Sequence, residues 1–331
     1  MLLKQFKRTG PGTIFLIIVS LMCVWASAFF KLQGHFSLYF DLNPMPLYGI
    51  LSSLIGTNPL PGIIFTLSLV TLMAFLMVSL NTSLFFINER TFLPALIYIL
   101  LSGLFPQYQL LNPAIFAAMF LMLAIRRIME SYRVPGTAYN FFDAGILIGI
   151  GSLFYANLIW FGLLVFIGMA LLRTGDIKEI VISVIGLVTP YFLTFGIYYV
   201  LGKDLKDLLS LLDYNLFGKP DDYVFTPLTI VAILFTALIM LVSIVHLFSL
   251  MNTKKINARK TFLLLFWIFL IAVGAYFIAP SVSVEIIWIT GIPVSYILTH
   301  YFVFVKKKLA PEIFFSVFFI LILLIQIWYI K

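Results

Sequence analysis

Apolar residues dominate the chain in eleven runs, and short polar or charged stretches separate one run from the next. A run of about 20 apolar residues crosses the roughly 30 Å hydrocarbon core of a bilayer as a helix. Three of the runs are shorter than the lower limit of about 17 residues, and we expect tilted or buried helices there. The runs cover residues 13–32, 60–87, 93–105, 113–129, 141–155, 157–172, 180–202, 227–251, 261–279, 282–305 and 313–330. This pattern predicts an all-α, polytopic membrane protein with about eleven transmembrane helices in one domain, residues 1–331.

Two longer segments between the runs, residues 33–59 and 203–225, are amphipathic without being long or apolar enough to span. Their leucines recur at helical spacing, with polar residues on the opposite face. The apolar positions are Leu47, Tyr48, Leu51, Leu54 and Ile55 in the first segment and Leu205, Leu208, Leu209, Leu212 and Leu216 in the second. The pattern is typical of helices that lie in the membrane interface.

The distribution of basic residues predicts which side of the membrane each loop faces. With eleven spans and a cytoplasmic N-terminus, sixteen Lys and Arg residues lie inside and five outside. The five are Lys31, Lys203, Lys206, Lys219 and Lys331. Fusing residues 141–172 into one span would place the clusters at Lys254 and Lys306 outside, against the positive-inside bias. We therefore expect a break at residues 155–157, a C-terminus on the periplasmic side of the inner membrane, and both amphipathic segments on the outer face.

Composition narrows the function classes. The chain is 63% hydrophobic and 10% charged, which excludes a soluble globular protein. The net charge of +8 comes from short basic clusters between spans, so we expect no nucleic-acid binding. The single cysteine, Cys23, excludes a disulfide framework and a cysteine-based metal site.

Two acids of the predicted outer face are candidate catalytic residues. Asp41, in the first outer loop, would act as a general base toward an acceptor hydroxyl. The alternative is a solvated turn acid in the sequence DLNP. Glu285 lies in the first outer turn of the tenth span, where it serves either a site or the positive end of a helix dipole.

Other charged residues of this face are candidates for substrate binding. Lys31, Lys203, Lys206 and Lys219, with His35, would contact a lipid-linked phosphate, or the lysines are interfacial anchors. Asp221 and Asp222 would hold a divalent cation or form a polar turn; otherwise we expect no metal and no cofactor. His246 and His300 are far apart in sequence, which favours a structural role.

Two resemblances add to this. Residues 88–202 resemble an uncharacterised family of polytopic membrane proteins from Bacteroidota, for which no activity is implied. The resemblance is carried by NERTFLPALIYILLSGLFP, FAAMFLMLAIRRI, NFFDAGILIGIGSLFY and IGLVTPYF.

The layout of the whole chain is similar to that of membrane glycosyltransferases of the GT-C fold. In that fold the first outer loop carries interfacial helices and a catalytic Asp, and a second long outer loop follows span seven. Asp41 and residues 203–225 stand in the corresponding places. The stretch FPQYQLLNPAIFAAMFLMLA resembles the turn between spans three and four of these enzymes, with Asn112 where an acid is often found. The resemblance implies that Asp41 is the catalytic base and that the outer-face lysines meet a polyprenyl phosphate.

The leading hypothesis is thus a GT-C-like transferase that moves a sugar from a polyprenyl-phosphate donor to an outer-face acceptor. The runner-up is a non-catalytic membrane subunit or scaffold of an envelope-assembly complex, with a membrane protein partner. A transporter comes third, because the spans carry few polar groups near their midpoints.

Overall fold

The computed structural model of the protein describes residues 2–7, 9–30, 39–56, 58–132, 138–172, 177–219, 223, 225–306 and 309–331. Over these residues the fold is all-helical. Its α-helices, in chain order, are α1 (Leu2–Phe6), α2 (Pro11–Phe30), α3 (Tyr39–Leu42), α4 (Pro46–Ile55), α5 (Pro59–Leu84), α6 (Leu93–Ser102), α7 (Pro113–Glu130), α8 (Ala138–Ser152), α9 (Leu163–Leu172), α10 (Ile177–Val200), α11 (Leu205–Phe217), α12 (Pro227–Ser249), α13 (Ile256–Ile278), α14 (Ile287–Phe304) and α15 (Leu309–Ile330). Short 3₁₀ helices at Pro106–Tyr108, Ala156–Gly162, Met251–Thr253 and Val284–Ile286 extend or join them.

Several helices begin with a proline that follows a capping residue. Pro59, Pro113 and Pro227 occupy the first turn of α5, α7 and α12, where the missing N–H has no helical partner to lose. The preceding Asn58, Asn112 and Thr226 accept a hydrogen bond from a backbone N–H of that turn. Because an unsatisfied N–H is costly near lipid, these caps define where the helices start.

Seven helices in the described part of the chain are long and apolar enough to cross a membrane: α2, α5, α10, α12, α13, α14 with the 3₁₀ turn before it, and α15. Each of the eleven predicted runs contains a helix, but four of these helices, α6, α7, α8 and α9, are not among the seven. The protein is thus a helical protein with seven candidate membrane spans. The count of eleven remains a prediction.

The chain reverses direction between α8 and α9, at the break predicted from the charges. Gly151, at the end of α8, lies against Leu158, and Gly168, near the end of α9, lies against Phe141 at the start of α8. The two helices are therefore antiparallel neighbours. The reversal returns the chain to the end of the bundle from which α8 started.

Glycines bring α8 and α10 into backbone contact. A Cβ atom at Gly145 would stand 2.7 Å from the Ser183 carbonyl oxygen, and one at Gly149 would stand 2.7 Å from that of Leu187. Gly186 approaches the Phe142 carbonyl in the same way. Small residues four apart allow this close packing where lipid offers no hydrophobic drive. The contact positions α10, and hence the α11 segment that follows it.

Contacts between loops define two ends of the bundle. At the first, the backbone N–H of Leu47 in α4 bonds the Leu153 carbonyl at the α8–α9 reversal, 3.2 Å away. We call this the first-loop end. At the other, Arg127 at the end of α7 lies 3.6 Å from Asp143 at the start of α8, and the Lys260 Nζ lies 3.5 Å from the Leu172 carbonyl oxygen. We call this the basic end.

Both amphipathic segments contain the expected helices, α4 and α11. Of their apolar faces, Tyr48 and Leu208 are buried, whereas Leu54 and Leu209 are exposed. Each helix therefore packs one edge on the bundle and leaves apolar side chains outward, as an interfacial helix does.

Candidate site at the first-loop end

Asp41 lies in the short helix α3 and is exposed. Its Oδ1 accepts a hydrogen bond from the Tyr48 hydroxyl, 2.9 Å away. Tyr48 is 1% exposed, and its hydroxyl also lies 3.2 Å from the Leu111 carbonyl oxygen in the turn between α6 and α7. The phenol thus connects the first loop to the body of the bundle and orients the carboxylate.

Burial, and then the nearby charge and hydrogen bond of Asp41, raise the pKa of Tyr48 far above its ordinary value. The phenol therefore stays protonated at any physiological pH and remains a hydrogen-bond donor. An exposed carboxylate held by a permanent donor has the arrangement of a positioned general base.

A polar cavity of about 480 Å³ opens beside this loop. It is lined by Asn43, Tyr198, Asp207, Ser210, Leu211 and Tyr214. The Asn43 carbonyl accepts a hydrogen bond of 2.9 Å from the Nδ2 of Asn215, so the loop is docked on α11. The lining contains Asn43, two positions beyond Asp41, rather than Asp41 itself. The first loop and the second amphipathic segment thus form opposite walls of one cavity.

The candidate substrate-binding lysines that the structure describes are all exposed. Lys203 lies with its Nζ 5.3 Å from the ring centroid of Tyr198, a residue of the cavity wall. Lys206 follows the N-cap of α11, where its backbone N–H bonds Asp204, and Lys219 follows the end of the helix. Lys31, His35, Asp221 and Asp222 lie outside the described residues.

Glu285 occupies a different place from Asp41. It is 3% exposed, and its Oε1 accepts hydrogen bonds of 3.0 Å from the Tyr155 hydroxyl and from the Ser283 backbone N–H. The second bond lies within the turn that starts the Val284–Phe304 span, where a carboxylate also faces the positive end of the helix dipole. The structure does not bring Glu285 to the polar cavity.

Comparison of the sequence with profiles of known protein families identifies a family for this chain. A profile of a family of unknown function, DUF6427, matches residues 44–331. The chain belongs to the DUF6427 family. The match includes α4, α11 and the cavity-lining residues of α10 and α11, and it begins just after Asn43, so Asn43 and Asp41 precede it. No match was found among curated proteins or among solved structures.

Apolar cavities also occur in the described part of this DUF6427 protein, and two of them are large. The larger, about 520 Å³, lies between α12, α13 and α14, and its few polar groups include Thr236, Tyr276 and Thr290. The smaller, about 460 Å³, lies between α11 and α13 and includes Trp160, Phe217 and Ile278 in its lining. Both are open grooves on membrane-spanning helices and are of a kind that accommodates a lipid chain.

Sequence reasoning missed the polar residues that hold α11 in place. The Ser281 hydroxyl lies 3.0 Å from the Oδ1 of Asn157 and donates to the Leu216 carbonyl at 2.7 Å. The Nδ2 of Asn157 lies 3.4 Å from the Asn215 carbonyl. The available signal was the position of Asn157 between two apolar runs and of Asn215 within the second amphipathic segment.

Metal binding at this end has limited support in the structure. The described stretches contain no cluster of three or more His, Cys, Asp or Glu side chains that would hold an ion. The pair Asp221 and Asp222, which the sequence offered for a divalent cation, lies outside those stretches.

Proposed function

We propose that this DUF6427 protein is a GT-C-like membrane transferase that moves a sugar from a polyprenyl-phosphate donor to an acceptor at the first-loop end. One observation carries the proposal: Asp41 is exposed, is oriented by Tyr48, and stands at a loop that forms one wall of a polar cavity. The other wall belongs to α11. The GT-C layout, with a catalytic Asp in the first loop and a second long loop after span seven, has these two elements in the corresponding places along the chain.

In this proposal each group has a role suited to its chemistry. Asp41 takes the proton of the acceptor hydroxyl as the sugar is transferred, a step for which general-base help contributes about 10²–10⁴-fold. Lys203 and Lys206 lie at the rim and attract the donor phosphate, with Lys31, His35 and Lys219 as further candidates. The apolar grooves beside α13 take the polyprenyl chain.

We further propose an inner-membrane protein of eleven spans with the first-loop end on the periplasmic side. The reversal between α8 and α9 and the contact of Lys260 with the Leu172 carbonyl at the basic end support alternating crossings. The cluster of basic residues at one end supports the orientation, since positively charged loops stay in the cytoplasm.

The test compares Asp41→Asn with Asp213→Asn in cells that lack the native copy. Asp213 is an exposed acid of α11, the helix that forms the other wall of the cavity, but it does not line the cavity itself. It therefore controls for loss of a negative charge at this surface. We expect Asp41→Asn to reduce transferred glycan at least about 100-fold, because the base is removed. Asp213→Asn should match the unaltered protein, and both variants should keep normal amounts in the membrane. An unchanged glycan profile in Asp41→Asn contradicts the proposal.

A second candidate function is a non-catalytic subunit of an envelope-assembly complex. The observation that favours it is Glu285, a predicted catalytic acid that is itself buried and whose carboxylate accepts hydrogen bonds from the Tyr155 hydroxyl and from the Ser283 backbone N–H at the start of its own helix. A scaffold needs such a rigid end to hold a membrane protein partner. In the same experiment a scaffold gives full function in Asp41→Asn and loses a co-purifying partner when α11 is removed.

A further inference from the structure

Two histidines meet at the basic end, far from the proposed transfer site. His246 lies in the last turn of α12 and His300 in the last turns of α14, with ring centroids 5.7 Å apart. His300 is fully buried, and neither of its ring nitrogens has a hydrogen-bond partner. The Nδ1 of His246 is also buried without one. Since nearly all buried polar atoms in proteins are hydrogen-bonded, three such nitrogens in one place indicate a ligand.

The spacing of the rings limits the size of that ligand. Imidazole nitrogens bind metals at about 2.0 Å, so an ion bound to one nitrogen of each ring holds the two centroids about 5 to 6.5 Å apart. The observed 5.7 Å lies within this range. The nitrogens are closed to water, which excludes a phosphate or a larger group between them.

The surroundings limit the charge and the coordination number of the ion. Phe262 and Phe304 pack on His300 with ring centroids 5.1 and 4.9 Å away, so the site is apolar. The Lys254 Nζ lies 4.4 Å from the Phe304 ring centroid. A neighbouring ammonium opposes a divalent ion more strongly than a monovalent one, whereas the carboxyl ends of α12 and α14 favour a positive charge.

Among the described residues no third His, Cys, Asp or Glu side chain joins the two histidines in a cluster that would hold an ion. Zn²⁺ in proteins almost always has four ligands, whereas Cu⁺ binds imidazole and accepts two. We propose that His246 and His300 form a two-histidine site for Cu⁺ at the basic end, independent of the transfer reaction.

The experiment is an anaerobic titration of the purified full-length protein with Cu⁺ against a chromophoric Cu⁺ chelator. It is done in a Cys23→Ser background, because the exposed thiol of Cys23 is a competing ligand. We expect one Cu⁺ per chain and at least a tenfold weaker affinity in His246→Asn and in His300→Phe. Zn²⁺ should bind far more weakly than Cu⁺ in the same preparation.

His35→Asn is the matched control, because it removes the third histidine of the chain and should leave Cu⁺ binding unchanged. If His300→Phe does not fold, His246→Asn decides alone, and it should bind Cu⁺ at least tenfold more weakly than the unaltered histidine pair. Cu⁺ binding that survives in His246→Asn, disappears in Cys23→Ser or His35→Asn, or is weaker than Zn²⁺ binding overturns the proposal.

Discussion

The two ends of the bundle differ in whether their buried polar side chains have hydrogen-bond partners. At the first-loop end the side chains of Glu285, Asn157 and Ser281 each have a hydrogen-bond partner. Together these bonds connect α11, the turn before α9 and the turn before α14. At the basic end His246 and His300 face each other with three unpartnered nitrogens. Burying a polar group costs free energy unless it is bonded. The first arrangement therefore stabilises the fold, and the second does so only with a ligand.

Single unpartnered atoms at the first-loop end do not remove this contrast. Asn112 keeps one buried N–H of its Nδ2 unbonded while its Oδ1 caps α7, and the indole N–H of Trp288 is also unbonded. Each is one atom of a side chain with another structural role. The basic end has two whole rings in the same space.

The largest effect should come from Glu285→Leu. The substitution leaves the Tyr155 hydroxyl and the Ser283 N–H buried without an acceptor, at about 1–3 kcal/mol each in free energy of unfolding. Thermal unfolding of the purified protein in detergent measures the loss. Glu285→Gln, which keeps an acceptor oxygen, should lose much less. Equal melting temperatures for Glu285→Leu and the unaltered protein would show that this network is not structural.

A smaller effect is expected for Tyr48→Phe. The phenol loses its bond to Asp41, but the carboxylate is exposed and water replaces the donor, so unfolding should become easier by only about 0.5–1.5 kcal/mol. Under the proposed function transfer should fall as well, yet less than in Asp41→Asn, because the base is still present but less well oriented. A transfer rate equal to that of the unaltered protein would leave Tyr48 with a purely structural role.

The smallest effect, and of opposite sign, is expected for His300→Phe in the metal-free protein. A planar aromatic ring is kept, somewhat larger than imidazole, while two unpartnered nitrogens are removed, so the free energy of unfolding should stay equal or rise by up to about 1 kcal/mol. Chelator-treated protein followed by thermal unfolding provides the measurement. A clear destabilisation would mean that His300 has partners in solution and that the contrast between the ends is false.

Much of the fold could be predicted because it depends on local patterns. Apolar runs, the helical spacing of leucines and the charge bias predicted a helix in each run, α4, α11 and the reversal at residues 155–157. These signals lie within about 20 consecutive residues.

What depends on neighbouring helices could not be predicted in the same way. His246 and His300 are separated in sequence, and only the parallel packing of α12 and α14 brings their rings together. Likewise, Glu285 and Asp41 lie at the same end of the bundle, but Glu285 is buried in the helix packing and Asp41 is exposed on the surface. Hydrophobic periodicity predicts how deep in the membrane a residue lies and on which face of its helix, but it does not predict which other helix packs against that face.

The central claim is a lipid-phosphate site on the periplasmic face, between the first loop and α11. Labelling of a single cysteine tests it most directly. Asn43→Cys in a Cys23→Ser background places the thiol in the cavity wall while keeping the backbone carbonyl that Asn215 bonds. We expect a membrane-impermeant maleimide to label it in intact spheroplasts, and polyprenyl phosphate to slow the labelling. Labelling only after the membrane is opened, or a rate that polyprenyl phosphate leaves unchanged, would contradict the account.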